Sequence, residues 1–219
     1  LVNIVFNSAL ITREHKSTPV LIMAGGFGKR LGKLTAETPK PMIKVGGVPI
    51  IQHIIQNLSG LGYKNFYISI HFQAEKIKNY LGDGSDFGVV INYLVEETPL
   101  GTAGCLSKLH NEVKNDLLIV NGDVFCDVNF LSLLDFHQQK RSDATVVVRK
   151  YEIKNPYGTI EFHKDIMLKI IEKPVYSSFV NTGIYILSKK VIKLIGNNET
   201  IDMPNLLERI QIKNGKIHV

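Results

Sequence analysis

Cysteine is scarce in this 219-residue chain, with two residues in all, too few for a disulfide scaffold. Cys105 and Cys126 have apolar neighbours and no metal-ligand spacing, so both are expected to be reduced core residues of a cytoplasmic protein. No apolar run approaches the roughly 18 residues that cross a bilayer, which excludes a membrane-spanning helix. Nor does a basic start lead into an apolar segment and a small-residue cleavage site, so nothing points to export. The seven His include no pair at i,i+4 and no Cys partner, which argues against zinc. A G-x-S-x-G elbow is missing, and with it the usual signal of a serine nucleophile. Internal repeats and low-complexity linkers are absent too.

What is present is a globular balance: 44% hydrophobic and 21% charged residues, too rich in Ile, Leu and Val for a disordered segment. The length suits one sizeable core, and one large α/β domain is preferred to two small ones. A net charge of +6 admits anionic partners, but a solvated lysine surface would give the same figure. Its distribution is more informative. Lys29, Arg30, Lys33, Lys40 and Lys44 lie close together beside glycines, against one acid, Glu37. A nucleic-acid module would fit the charge, but no RNA or DNA motif and no aromatic stacking platform accompanies it.

Short apolar runs alternate with helical patterns. Val20–Ala24 reads as a buried strand, followed by the Gly-rich stretch Gly25–Gly32. Pro49 can open a helix in which Ile50, Ile51, Ile54, Ile55 and Leu58 recur at helical spacing. Strands are predicted at Phe66–Ile70, Val89–Leu94, Leu117–Val120 and Ala144–Arg149, and helices at Ala74–Leu81, Thr102–His110 and Asn129–Lys140. Such alternation implies right-handed crossovers and a mostly parallel, Rossmann-like central sheet with helices on both faces. After Arg149 the pattern turns β-rich, with strands at Tyr157–Phe162, Ile166–Ile171 and Val180–Leu187, so a smaller mixed β region is expected. Ser188–Ile195 and Met203–Ile210 read as closing helices. Residues 1–18 are expected to form a connector or leader. A first residue that is not Met suggests a fragment or a processed product, and an end at KNGKIHV, where the pattern of a new strand begins, suggests that the domain over 19–219 is truncated at its C-terminus.

Ligands of open parallel sheets bind at the carboxyl ends of the strands. Three unusual segments fall there: Ala24–Leu31, Leu100–Gly104 and Asn121-Gly122-Asp123. Glycines after a strand let backbone amides approach a phosphate. Leu31 breaks a Rossmann fingerprint, and Arg30 stands where a Walker A loop needs Ser or Thr. An extended loop with five cations remains, either exposed and flexible or wrapped around a polyphosphate that Arg30 and Lys40 neutralise. Asp123 either caps a turn or, facing such a loop, binds Mg²⁺, which takes one or two carboxylates beside phosphates and water. Asp127 is a weaker candidate. Glu172, Lys173, Asn181 and Gly183 are either turn residues or sugar-phosphate contacts, since Glu and Asn suit hydroxyls and Lys suits a phosphate.

The stretch VLIMAGGFGKRLGKLTAETPKPMIKVGGVPII, followed in order by PLGTAG, VNGDVF, IIEKP and VNTGIYIL, resembles the sugar-1-phosphate nucleotidyltransferases, the sugar-nucleotide pyrophosphorylases. The similarity runs from about Pro19 to Glu208, and is nearest to the nucleotidyltransferase domain that follows a CBS pair in some bacterial proteins. It implies the nucleotide-diphospho-sugar transferase fold and attack of a sugar 1-phosphate on the α-phosphorus of an NTP, with pyrophosphate leaving. By matching positions, Ala24, Gly25, Gly26, Gly28, Lys29, Gly101 and Thr102 would hold the nucleotide. Arg30 and Lys40 would take the charge of the phosphates, and Asp123 would hold Mg²⁺. Gly122, Glu172, Lys173, Asn181 and Gly183 would face the sugar phosphate. No protein nucleophile is needed, because alignment and charge neutralisation suffice.

Two departures accompany the resemblance. The family's late W-x-D-x-G segment, with a second Mg²⁺ ligand, does not occur, and Lys29 stands where Thr is frequent. The stretch Glu97–Gly104 looks most like the guanylyltransferase branch. Glu97 could accept from guanine N1–H and N2–H₂, so GTP is favoured over UTP, CTP and dTTP. The resemblance also allows a homo-oligomer and an attached CBS regulatory domain. The rival from another class is a non-catalytic domain that senses nucleotide sugars through an incomplete metal site. A glycosyltransferase would be expected to carry D-x-D, and Val124 follows Asp123 without a second Asp at that spacing.

Overall fold

Val20–Met23 forms strand β1, and Val20, Leu21 and Ile22 are completely buried, as a strand covered on both faces requires. In chain order there follow β2 (Lys44–Val45), β3 (Val48–Pro49), α1 (Ile50–Gly60), β4 (Asn65–Ile70), α2 (Ala74–Leu81) and β5 (Val90–Val95). Next come α3 (Gly101–Gly104), β6 (Asp116–Asn121), α4 (Phe130–Lys140) and β7 (Ala144–Lys154). Then follow β8 (Thr159–His163), β9 (Ile166–Ile171), β10 (Val175–Ser188), α5 (Lys189–Ile192), α6 (Met203–Ile212) and β11 (Ile217–His218). The structure is a computed structural model that describes residues 17–26 and 38–219.

Among the described residues a seven-stranded sheet has the order β11-β7-β10-β6-β1-β4-β5. The strands β5, β4, β1 and β6 run parallel, β10 is antiparallel to β6, and β11 is parallel to β7. This is the mostly parallel, helix-covered sheet that the alternation of patterns implies. The helices dock by apolar stripes: Ile51, Ile54, Ile55 and Leu58 of α1 are all buried, spaced by three and four residues. Asn129 caps α4, its side chain accepting from the Ser132 amide at 3.0 Å.

Several expectations are corrected. The helix predicted from Thr102 to His110 divides into α3 and a 3-10 stretch, Cys105–Leu109. Ser107 Oγ donates to Gly104 O at 2.8 Å and occupies an acceptor that a continuing α-helix would use. The helix predicted over 188–195 keeps α-geometry only in α5, because Leu194 and Ile195 donate to Val191 and Ile192 in tighter i→i+3 turns. Pro49 precedes α1 instead of opening it, held in β3 against Lys44. Cys105 is buried as expected, but Cys126 is exposed, because it belongs to an irregular stretch beyond β6.

The chain divides into two compact units, the described residues of Leu1–Val146 with Gly183–Val219, and Val147–Thr182. The first holds β1, the helices and the parallel strands. In the second, β8 and β9 pair antiparallel with an irregularity at Glu161/Phe162, and Thr182 Oγ1 donates to Val147 O at 2.7 Å. Its apolar side chains are largely exposed, among them Tyr157, Phe162 and Phe179. Among the described residues no helix is long and apolar enough to cross a membrane.

Replacing the α4 cap, Asn129→Ala, should lower stability by about 1 kcal/mol. Urea unfolding should show an earlier midpoint with an unchanged slope.

Candidate active site

Parallel pairing brings three strand ends to one level: Met23 stands beside Ser69 of β4 and beside Asn121 of β6. The ladder continues one residue further, Ala24 N donating to Ser69 O and Gly122 N to Met23 O, both at 2.9 Å. Gly122 must be small, since a Cβ there would lie 3.0 Å from Met23 O and from Pro41 Cγ. Gly183 is fixed for two reasons. Its φ is +79°, and the side chain of Asn121 fills the place a Cβ would take.

A cavity of about 260 Å³ opens at these ends. Its walls include Ala24, Gly25, Gly26, Lys40, Pro41, Ser69, Glu96, Gly101, Thr102, Asn121 and Asp123. Lys40 begins a 3-10 turn, Lys40–Met42, just after Pro39. From there its ammonium pairs with Asp123 Oδ2, and both side chains keep about a third of their surface in contact with solvent (37% and 28%). A cation and a carboxylate so placed can receive a polyanion and its divalent counterion together.

The opposite wall is anchored by Glu96. Its amide extends the strand ladder to Ile70 O (3.0 Å), one carboxylate oxygen accepts from Ser69 Oγ, and the other accepts from Leu100 N at 3.0 Å. Gly101 then turns with φ +77°, where a Cβ would come within 2.6 Å of Ile201 O. At the floor of the cavity, burial and then the nearby Glu96 charge push the Cys105 thiol up to about 12.

The cavity brings together Ala24, Gly25, Gly26, Lys40, Gly101, Thr102 and Asp123, with Gly122 packed against Met23 and Pro41, and Gly183 against Asn121. Gly28, Lys29 and Arg30 lie outside the described residues. Glu97 is exposed and is not part of the cavity wall, whereas Glu96 is buried and is. Two adjacent glutamates look alike in sequence, and only the packing of Ser69 from the neighbouring strand selects one. Glu172, Lys173 and Asn181 belong to the second unit. There Lys173 adopts φ +45°, and the lack of a Cβ at Gly158 leaves room for the Glu172 carboxylate.

A larger cavity, about 500 Å³, opens at the amino ends of the same strands, beside Asn65, Tyr67, Glu112, Lys114 and Asp116. Burial would raise the Asp116 carboxyl, but His137 and Gln138 hold it below its ordinary value. Two carboxylates beside a single lysine suit a polyanion poorly.

The family model for nucleotidyl transferases matches residues 19–211. The chain belongs to the nucleotidyl transferase family. It is 36% identical over 184 residues to a mannose-1-phosphate guanyltransferase of Debaryomyces hansenii, covering 80% of this chain and 51% of that protein. To the mannose-1-phosphate guanyltransferase of Yarrowia lipolytica it is 39% identical over 185 residues, with 80% and 50% covered. The chain thus spans about half the length of these curated relatives. A solved structure of a putative glucose-1-phosphate thymidylyltransferase from Bacillus anthracis superposes with a TM-score of 0.71 at 26% identity, covering 92% of this chain and 85% of that one. Sheet order, helix placement and this likeness make the fold of this nucleotidyltransferase family member that of the nucleotide-diphospho-sugar transferases.

Gly101→Ala should cost about 2 kcal/mol through backbone strain, read as an earlier midpoint in urea unfolding. At pH 8.5 the exposed Cys126 should be alkylated in the native protein while Cys105 stays protonated and intact. Mass spectrometry should find one adduct per chain before unfolding and two after.

Proposed function

We propose that the protein transfers a nucleotidyl group from an NTP, GTP by preference, to a sugar 1-phosphate, mannose 1-phosphate being the first candidate. The observation that carries this reading is the meeting of Lys40 and Asp123 at a glycine-lined cavity on the carboxyl ends of parallel strands. The relatives named mannose-1-phosphate guanyltransferase supply the preference for base and sugar.

A phosphate oxygen of the sugar 1-phosphate attacks the α-phosphorus. That P–O bond forms as the bond to the β-phosphate bridge breaks, and pyrophosphate leaves with the electron pair. Backbone at Gly25 and Gly26 admits the triphosphate without side-chain obstruction; a Cβ at Gly26 would itself meet open space. Lys40 exchanges its Asp123 partner for phosphate oxygens, and Arg30 takes the charge of the departing β and γ groups. Asp123 offers a hard carboxylate oxygen beside the cavity, which suits Mg²⁺, an ion that needs few protein ligands when phosphates and water complete its shell. Mg²⁺ held there would neutralise charge on the reacting phosphates. Among the described residues no cluster of three carboxylate, His or Cys side chains forms a fuller cage.

For the base we assign the reading role to Glu96, the carboxylate on the cavity wall, in place of Glu97. Its oxygens can accept from guanine N1–H and N2–H₂. The resemblance to the family supports Gly122 and Gly183 as sugar-phosphate contacts of the first unit, and Glu172, Lys173 and Asn181 as contacts contributed by the second. The cytoplasm is the proposed compartment, in keeping with two thiols that form no disulfide.

Pyrophosphate release with each NTP, Mg²⁺ and a panel of sugar 1-phosphates tests the reading. GTP with mannose 1-phosphate should be fastest. Arg30→Ala and Asp123→Ala should each lose about a hundredfold or more in kcat/KM, and Glu96→Gln should narrow the margin of GTP over other NTPs. Parental rates in both Arg30→Ala and Asp123→Ala would sink the assignment. Tight GTP binding without turnover would favour a nucleotide-sensing domain.

A further inference from the structure

Helices α3 and α6 begin side by side, and neither uses a side chain of its own as cap. Leu100, ahead of α3, has no polar group to offer, and Asp202, ahead of α6, makes no cap bond to its own helix. Asp202 Oδ1 instead accepts from the Thr102 amide at 2.9 Å and from the Thr102 hydroxyl at 3.2 Å. That hydroxyl in turn accepts from the amide of Met203, the first residue of α6, at 2.8 Å. Two helices about a hundred residues apart in sequence thus exchange their N-caps. Backbone bonds flank the exchange: Ile201 N donates to Leu100 O and Ala103 N to Ile201 O, both at 2.9 Å.

This exchange bears directly on the cavity. Gly101 and Thr102 form part of its wall, and Leu100 is held on the cavity side by Glu96. Behind the wall the only side-chain acceptor recorded for the Thr102 amide and hydroxyl, among the described residues, is Asp202. Asp202 itself is not on the wall. We propose that Asp202 is a positioning residue for the nucleotide: through Thr102 it fixes the Leu100–Thr102 wall at the place where the nucleotide is received. The inference rests on the nucleotide-binding reading of the cavity. Both partners are exposed to solvent, so water can replace the lost bonds and the fold survives their removal, while the wall loosens. The two flanking backbone bonds remain, so the loss is graded.

The test measures dissociation constants of GTP and of mannose 1-phosphate separately, on the full chain, by calorimetry in Mg²⁺. Asp202→Ala should weaken GTP about fivefold, the value of one N-cap, and leave mannose 1-phosphate unchanged. Asp202→Asn keeps an acceptor oxygen and should stay within about twofold of the parent. Amide exchange at Thr102 and Ala103 should accelerate in Asp202→Ala and not in Asp202→Asn. If Asp202→Ala binds GTP as the parent does, or if both ligands weaken alike, the positioning role is overturned. If the parent itself binds no NTP, the reading of the cavity fails, and this inference falls with it.

Discussion

The register of three parallel strands governs the rest of the molecule. Because β1 is paired on both sides, with Met23 level with Ser69 and Asn121, whatever follows each strand must emerge at the same edge. One strand delivers glycines, the second a hydroxyl, and the third an acid two residues beyond its end. None of these side chains needs a neighbour in sequence to meet the others. Moving β4 by a single residue would send Ser69 to the other face of the sheet, since side chains alternate with period two.

Electrostatics at that edge follow from what surrounds it. Lys40 reaches Asp123 from a turn that Pro39 enters with φ already near −55°. The pair keeps part of its surface in water, which lowers the cost of parting when an anion arrives. Glu96, by contrast, is buried and bonded to Ser69 and Leu100. One carboxylate is thus placed to exchange partners, and the other is held in a fixed position on the wall with acceptor sites to spare for a base. The nucleotide side of the site is therefore built partly from fixed hydrogen bonds and partly from a charge pair that a ligand can open.

The second unit is organised differently. Its hairpin β8–β9 carries apolar side chains on exposed surface, and its order comes from ladder bonds and from turns such as the one where Lys173 takes φ +45°. The first unit is dominated by buried aliphatic residues from strands and helices. The short β-rich runs of 157–171 joined by turns, and the period-3.6 spacing in 50–58, already separate these two kinds of construction in the amino-acid sequence.

Element types were largely legible because strong periodicity leaves few options. Ile50–Leu58 could only be an amphipathic helix, and Asn129 could be read as the start of α4. The grouping of Gly25, Gly26, Lys40, Gly101 and Asp123 was legible too, since parallel strands force their carboxyl ends together. Local pattern was enough for the kind of sheet, the edge that carries chemistry and the charges placed there. Tertiary packing alone settled which of two adjacent glutamates enters the cavity, that Cys126 is exposed, and that α3 takes its N-cap from Asp202. Those outcomes depend on contacts between residues far apart in the chain, such as Ser69 with Glu96 and Thr102 with Asp202. Local pattern carries no information about them, because burial and hydrogen bonding at such positions are set by whichever segment the fold brings alongside.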